Sequence, residues 1–254
     1  MMRCWFQCLL LFVLVMSGIH APVAQAEPPV DLAKWKSLIK KGQALRWTHK
    51  KKLQLRRADL LWKAYLMNPK PFRSLEVGSI ACNLRARHEK KGSRIKMWSK
   101  SGLVLAKEMR KRWPKRAEGY FWTAIHWGQY ARGGGVWVAM TQGIAGKIVK
   151  YSEASLKRNR KVYRGGAQRV LGRYYFKVPW PWRRLKKSLK YLREAYKLAP
   201  RDSGGMLFLG ETLLALKKKK EARIFMKKCA SQWTKGLRKN ASPSICRKWL
   251  KNNQ

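Results

Sequence analysis

Apolar side chains recur every three or four residues along most of the chain, which is the spacing that places them on one face of an α-helix. One such stripe consists of Leu32, Trp35, Leu38 and Ile39, and it follows Asp31, whose side chain can cap a helix. No segment sustains the alternation with a period of two that is typical of a half-buried strand. The pattern therefore predicts an all-α protein with about ten helices.

Proline and glycine residues mark the predicted helix boundaries. Pro69 and Pro71 end the helix that carries Tyr65, because proline cannot donate the backbone hydrogen bond that continues a helix. The run Gly133-Gly134-Gly135 predicts a turn or hinge between two helices. Between these breaks, the pattern predicts helices at about 72–86, 92–112, 117–131 and 137–159.

The C-terminal third contains a repeat with a period of about 34 residues. Ser188 and Ala222 occupy the same position in successive copies, and each is followed one helical turn later by a large side chain. The helix before each of them carries a Leu-Gly pair, Leu171-Gly172 in one copy and Leu209-Gly210 in the other. Small residues at these positions let two helices approach closely, and the large residues fill the groove between them. Because such a helix pair cannot bury its apolar face alone, copies stack into a solenoid.

This spacing resembles the tetratricopeptide (TPR) pattern, which places Leu-Gly in a first helix and a small residue followed by a large one in the second. The two glycines are further apart than one repeat period, so the turn Val178–Trp182 holds a four-residue insertion relative to the pattern. The resemblance implies an all-α, TPR-like solenoid of helical hairpins with four to five degenerate helix pairs. We expect it to span 27–254, with the clearest repeats at 167–234.

Residues 1–26 have the three-part layout of a secretory signal peptide. Arg3 is their only charge, an apolar stretch follows at 5–19, and Ala24-Gln25-Ala26 is a small-x-small cleavage site. The apolar stretch is shorter than the roughly 20 residues that span a bilayer. No lipobox precedes Cys4 or Cys8. We therefore expect residues 1–26 to be removed and the mature protein to be periplasmic or secreted, with no transmembrane span.

Three cysteines remain after this cleavage. An oxidising compartment permits a disulfide between Cys229 and Cys246, which are 17 positions apart on two consecutive predicted helices. That bridge would stabilise the fold by about 3 kcal/mol in the chain-entropy model. The alternative is a pair of buried thiols. Cys82 lies in an apolar helical run and is expected in the core, and no Cys or His spacing suits a metal ion.

Candidate catalytic residues are scarce. The 12 Asp and Glu residues are scattered, and no His-Glu-x-x-His motif or phosphate-binding loop occurs. His126 stands among Trp122, Ile125 and Trp127, which favours a core or interface role over that of a catalytic base. We therefore predict that the protein is not an enzyme and that it needs no cofactor or metal.

Several motifs follow one another in the middle of the chain. They are Glu118-Gly-Tyr-Phe-Trp122-x-Ala124, Trp127-Gly128, the segment from Tyr163 to Tyr175, the Pro179–Trp182 insertion and the segment from Tyr191 to Pro200. Their order resembles the TPR family of T-components of TRAP (tripartite ATP-independent periplasmic) transporters, over roughly residues 55–230. The resemblance implies a non-enzymatic periplasmic protein that docks the substrate-binding (solute-binding) protein of a transport system and can assemble as a homo-oligomer.

The charge is strongly unbalanced, with 59 Lys and Arg against 12 Asp and Glu and a formal net charge of +47. Self-repulsion of that size requires screening by salt or by an anionic partner. Outside the cytoplasm such partners are acidic proteins, anionic lipids and envelope polymers. The alternative to a docking scaffold is therefore a cationic protein that attaches to anionic lipid or polymer of the envelope. Nucleic acid is disfavoured, because the signal peptide exports the chain and no nucleic-acid-binding motif occurs.

The insertion Trp180-Pro181-Trp182 is followed by Arg183 and Arg184, so two indoles and two guanidinium groups lie at the lip between repeat helices. The indoles either form a docking edge for a partner or a membrane surface, or pack under the inserted loop as part of the core. The segment before them brings further cations and a tyrosine toward the concave face. The predicted binding residues are Tyr163, Arg164, Arg169, Arg173, Trp180, Trp182, Arg183 and Arg184.

Overall fold

The computed structural model describes residues 29–46, 50–232 and 241–252, and these ranges contain eleven α-helices and no β-strand. The helices are α1 (Leu32–Ala44), α2 (Lys51–Met67), α3 (Phe72–His88), α4 (Gly92–Arg112), α5 (Ala117–Thr141), α6 (Ile144–Arg158), α7 (Gly166–Lys177), α8 (Leu185–Leu198), α9 (Ser203–Ala215), α10 (Lys219–Ser231) and α11 (Ala241–Lys251). The predicted all-α class is confirmed. The predicted signal peptide, 1–26, lies outside the described residues. Within the described ranges, no helix combines the length and the apolar character needed to cross a membrane.

Consecutive helices pack against each other as hairpin-like pairs, beginning with α1 and α2 and ending with α9 and α10. From α3 onward, each odd-numbered helix also packs against the next odd-numbered helix. In a curved stack of hairpins, the helices that touch in this way lie on the inside of the curve. We call α3, α5, α7, α9 and α11 the inner layer, and α2, α4, α6, α8 and α10 the outer layer.

The repeat glycines lie where α7 meets α8 and where α9 meets α10. A Cβ atom on Gly172 would stand 2.5 Å from the Cγ atom of Leu192, and one on Gly210 would stand 2.8 Å from the Cε atom of Met226. The Ser188 hydroxyl donates a hydrogen bond of 2.8 Å to the main-chain oxygen of Gly172. These contacts confirm the predicted register, in which a small residue of one helix accommodates a large residue of its partner.

The largest cluster of buried apolar side chains joins helices from several pairs. It includes Leu75 of α3, Met109 of α4, Trp122 of α5 and Leu171 of α7. Because one core is shared between successive pairs, each hairpin depends on its neighbours for burial, as expected for a solenoid.

The glycine run in the middle of the chain forms a bend. The predicted break between helices at this run is confirmed, because Gly135 has non-helical angles, with φ at 77°, and α5 changes direction there. The prediction of one unbroken helix over 137–159 was wrong, because a new helix begins at Ile144. The turn before this helix lies at Gly143, where φ is 59°. The main chain of Gly133 packs against Gly92 at the start of α4, and a Cβ atom on Gly133 would lie 2.9 Å from the Gly92 oxygen. The glycines therefore serve close helix packing as well as a bend.

A disulfide joins the end of the array to its last helix. Cys229 of α10 and Cys246 of α11 are bonded, with their Cα atoms 6.1 Å apart. Both residues are fully buried against Met206 and Met226. Cys82 is a free thiol in the core, and burial raises its pKa to about 12. A thiol with so high a pKa is not ionised at neutral pH and is chemically inert.

Candidate partner-binding surface

The eight predicted binding residues fall into two groups in the structure. The inner group, Tyr163, Arg164, Arg169 and Arg173, lies in the turn before α7 and along α7 in the inner layer. The edge group, Trp180, Trp182, Arg183 and Arg184, lies in the turn between α7 and α8. The inner group extends from the turn before α7 to Arg173, which lies one helical turn before the end of that helix, and the edge group follows the same end.

Tyr163 holds helices of the array together rather than projecting from it. Its hydroxyl accepts a hydrogen bond of 2.8 Å from the Trp122 indole and donates one of 2.5 Å to the Glu76 carboxylate. Burial raises the pKa of Tyr163, and the negative charge of Glu76 raises it further. Glu76 was not singled out from the sequence, because it lies 87 residues away from Tyr163 and no repeat relates the two.

Arg169 stabilises the turn that precedes α7. Tyr163 and Arg164 both have positive φ angles, 44° and 53°. Arg169 donates hydrogen bonds to the main-chain oxygens of these two residues, at 3.1 and 2.7 Å. Its Nε atom also lies 3.2 Å from the carboxylate of Asp202, the residue that caps α9. Burial lowers the pKa of Arg169, although the carboxylate opposes this effect. Most of this guanidinium group is therefore used within the fold.

Arg173 lies one turn further along α7 and is partly exposed, whereas Arg164 is exposed in the turn before α7. It pairs with Glu211 of α9, and both side chains keep part of their surface exposed, 27% and 30% respectively. Its guanidinium carbon lies 4.3 Å from the ring centre of Phe208 and 5.1 Å from that of Phe176. An arginine held between two phenyl rings and a carboxylate loses little further entropy when it binds.

The repeat could have revealed the partner of Arg173. Arg173 and Glu211 each follow the glycine of their own repeat copy, Gly172 and Gly210, so the same offset relates both pairs. Equivalent positions of adjacent hairpins lie side by side in a solenoid, so opposite charges at those positions indicate an ion pair between them. No feature of the repeat indicated that the aromatic side chains of Phe176 and Phe208 would contact Arg173.

The edge group is exposed. Trp180 is 85% exposed and Trp182 is 53% exposed, so the interpretation that both indoles pack beneath the inserted loop was wrong. The turn is held by its own main chain instead. The amides of Trp182 and Arg183 donate to the Pro179 oxygen at 3.0 and 3.1 Å, and the amide of Arg184 donates to the Tyr175 oxygen at 3.1 Å. The indoles are therefore presented on an ordered turn that does not require their burial.

The most buried titratable side chain of the middle region is not arranged for catalysis. His126 is fully buried, stacks on Trp122, and has no hydrogen-bond partner for either ring nitrogen within the described part of the chain. Burial lowers its pKa to about 3. A general base needs access to the proton that it removes, and this ring is enclosed. The described residues also contain no group of three or more His, Cys, Asp or Glu side chains that could hold a metal ion.

The architecture is that of a TPR-like solenoid, and comparison with solved structures supports this class. The structure is similar to TTC0263, a thermophilic TPR protein of Thermus thermophilus, with a TM-score of 0.65 and 14% sequence identity over 85% of this chain and 98% of that chain. Yeast Tom70 aligns with a TM-score of 0.48 and 12% identity over 91% of this chain, which spans 45% of the Tom70 chain. No protein-family model and no curated protein matches the sequence.

Proposed function

We propose that the protein is a non-enzymatic scaffold that binds a protein partner along the inner layer of its solenoid. The observation that carries this proposal is the position of Arg173 between Phe176 and Phe208, with Glu211 holding its guanidinium group. Arginine and aromatic residues contribute most of the binding energy at many protein interfaces. A stack of helical hairpins offers such side chains on an extended concave surface.

The partner that fits best is an acidic protein outside the cytoplasm, and the specific candidate is the substrate-binding component of a TRAP-type transport system. Three features support this candidate. The formal net charge of +47 favours an acidic partner, the signal-like segment 1–26 favours export, and the motifs between Glu118 and Pro200 resemble TRAP T-components.

Site-specific photo-crosslinking in intact cells tests this function. A photoreactive amino acid replaces Phe176 on the inner layer, and captured proteins are washed at low salt and at about 0.5 M salt. We expect one acidic substrate-binding protein to be captured and to survive the high-salt wash. In the background of this label, Arg173→Ala should reduce capture by about tenfold, because it removes a desolvated anchor worth about 1–2 kcal/mol.

Arg193→Ala is the matched control for Arg173→Ala. Arg193 of α8 pairs with Glu221 of α10 at 2.6 Å, so it also joins neighbouring hairpins, but it does so in the outer layer. Both variants lose one ion pair between hairpins, and only Arg173→Ala changes the inner layer. Equal losses of capture in the two variants, or capture that disappears entirely at high salt, would contradict the proposed function.

A further inference from the structure

The turns that lead from an odd-numbered helix to the next even-numbered helix share one edge of the solenoid. Odd-numbered helices of successive hairpins run in the same direction, so their C-terminal ends lie side by side. We call this border the odd-to-even edge, and its described turns are 89–91, 142–143, 178–184 and 216–218.

The exposed tryptophans of the described chain are concentrated at this edge. Ten tryptophans lie in the described ranges, and only Trp137, Trp180 and Trp182 are largely exposed, at 80%, 85% and 53%. Trp180 and Trp182 are in the turn 178–184, and Trp137 is in the last part of α5, just before the turn 142–143. Sequence reasoning identified two of these indoles, but not Trp137, because the helical pattern does not show which apolar residues remain exposed.

Trp137 follows a close contact between two helices. A Cβ atom on Gly92, the first residue of α4, would lie 2.5 Å from the Gly133 oxygen. The chain changes direction at Gly135, between this contact and Trp137.

The segment 134–141 has one packed face and one exposed face. Val138 and Ala139 pack against the cluster that contains Ile144 and Ile148. The three other large apolar side chains of the segment are largely exposed, and they are Val136, Trp137 and Met140. The segment therefore presents exposed apolar side chains on one face, while Val138 and Ala139 hold its other face against the fold.

The odd-to-even edge carries exposed cations and almost no acidic residues. The only acidic residue in the ranges 89–91, 133–147, 177–187 and 215–220 is Glu89, whose carboxylate accepts hydrogen bonds from the amides of Lys90 and Lys91. The exposed cations of the turns and their borders are Lys90, Lys91, Lys177, Arg183, Arg184, Lys217 and Lys218.

We propose that the odd-to-even edge binds the surface of a membrane that contains anionic phospholipids. The indole ring of tryptophan favours the headgroup boundary, where its apolar body and its N–H group are both accommodated. The lysine and arginine side chains of the same edge meet the lipid phosphates. Trp180 and Trp182 lie in the turn 178–184, and Trp137 lies near the end of α5 in the adjacent hairpin. Exposed indoles on successive hairpins of one edge suit a flat surface better than a concave protein pocket. The edge is defined by the turns, whereas Arg173 lies within α7 of the inner layer.

Vesicle flotation with the purified mature protein, residues 27–254, tests the proposal. The vesicles contain phosphatidylcholine with about 30% phosphatidylglycerol, and control vesicles contain phosphatidylcholine alone. The protein should bind the anionic vesicles and bind the neutral ones much more weakly. The triple variant Trp137→Ala/Trp180→Ala/Trp182→Ala should lower the partition coefficient about tenfold, because it removes the apolar contribution to interfacial binding. Lys177→Gln/Arg183→Gln/Arg184→Gln should lower it about tenfold at low salt and less at high salt.

Matched apolar and cationic controls use residues away from the edge. Met97→Ala/Val104→Ala removes exposed apolar side chains from α4 of the outer layer, and Lys115→Gln/Lys161→Gln/Arg201→Gln removes exposed cations from the opposite turns. Both controls should bind vesicles like the unchanged protein. Equal binding of neutral and anionic vesicles would overturn the proposal, as would equal losses in the edge variants and their controls. If the edge variants lose an acidic protein partner but keep vesicle binding, the edge is a protein-docking surface and the membrane proposal fails.

Discussion

The middle of the array and its C-terminal pairs use small residues for different purposes. In the C-terminal pairs, Gly172 and Gly210 accommodate the aliphatic or thioether side chain of a neighbouring helix in the same pair. In the middle, Gly102 of α4 accommodates the ring of His126, and a Cβ atom on Gly102 would overlap that ring.

The contents of the two cores differ accordingly. The cluster around α8 and α9 consists of Leu189, Leu192, Leu209, Leu213 and Ala222, which have no ionisable groups. The middle contains the buried imidazole of His126 and the hydrogen-bonded chain from Trp122 through Tyr163 to Glu76. A close approach between helices is therefore not by itself evidence of an apolar contact. The polar contents make the middle sensitive to pH and to the removal of a single polar atom, whereas the C-terminal pairs are sensitive to added volume at Gly172 and Gly210.

Acid should separate the two regions most strongly, through His126. Its pKa falls from 6.5 to about 3 on folding because of burial, so the unfolded chain binds the proton more tightly. The stability that this neutral ring contributes is present above about pH 6.5 and is lost as the pH falls toward 3, at up to about 1.4 kcal/mol per pH unit and about 5 kcal/mol in total. Urea unfolding at pH 7.5, 6.5 and 5.5, which lie above the usual carboxylate range, measures the beginning of this loss.

His126→Leu provides the comparison for that titration, because leucine fills much of the same space without an ionisable group. The variant should lose less stability between pH 7.5 and 5.5 than the unchanged protein, whatever its stability at pH 7.5. Identical pH dependence in the two proteins would show that the ring does not control acid sensitivity.

The sequence predicted the C-terminal pairs in more detail than the middle because helix contacts there follow the repeat period. The offset between Gly172 and Gly210 also relates Arg173 to Glu211, so even that ion pair was within reach of the sequence. The bond between Tyr163 and Glu76 spans 87 residues and follows no such offset.

The surface was harder to predict than the fold. The sequence shows that Trp137 and Trp180 are apolar, but their exposure depends on where neighbouring hairpins end. The contact of Gly133 with Gly92 was missed for a similar reason, because it is between helices and leaves no local signal.

Tyr163→Phe tests the polar part of the middle core and should have the next largest effect. It leaves the Glu76 carboxylate and the Trp122 N–H group without the hydroxyl that they share, at a cost of about 3 kcal/mol because one of these groups is charged. The measurement is the urea midpoint at pH 7.5. Tyr120→Phe is the control, since the Tyr120 hydroxyl accepts one hydrogen bond of 2.8 Å from Arg158 at an exposed site. Tyr120→Phe should change the free energy of unfolding by no more than about 0.5 kcal/mol. Comparable losses of stability in both variants would show that the Tyr163 hydroxyl is no more important to the fold than an exposed one.

A single methyl group placed in each region gives the smallest and most direct test, with opposite signs. Gly172→Ala puts its Cβ atom 2.5 Å from the Leu192 side chain, so α7 and α8 must separate or Leu192 must leave its rotamer, at a cost of about 2 kcal/mol. Gly128→Ala in α5 has no atom within 4 Å of the added carbon, and replacing a glycine inside a helix should stabilise the protein by about 0.5–1 kcal/mol. Thermal unfolding of the two variants measures both effects. If Gly172→Ala stabilised the protein, the contact between α7 and α8 would be looser than the repeat requires. The interpretation that close helix approach defines the C-terminal pairs would then be wrong.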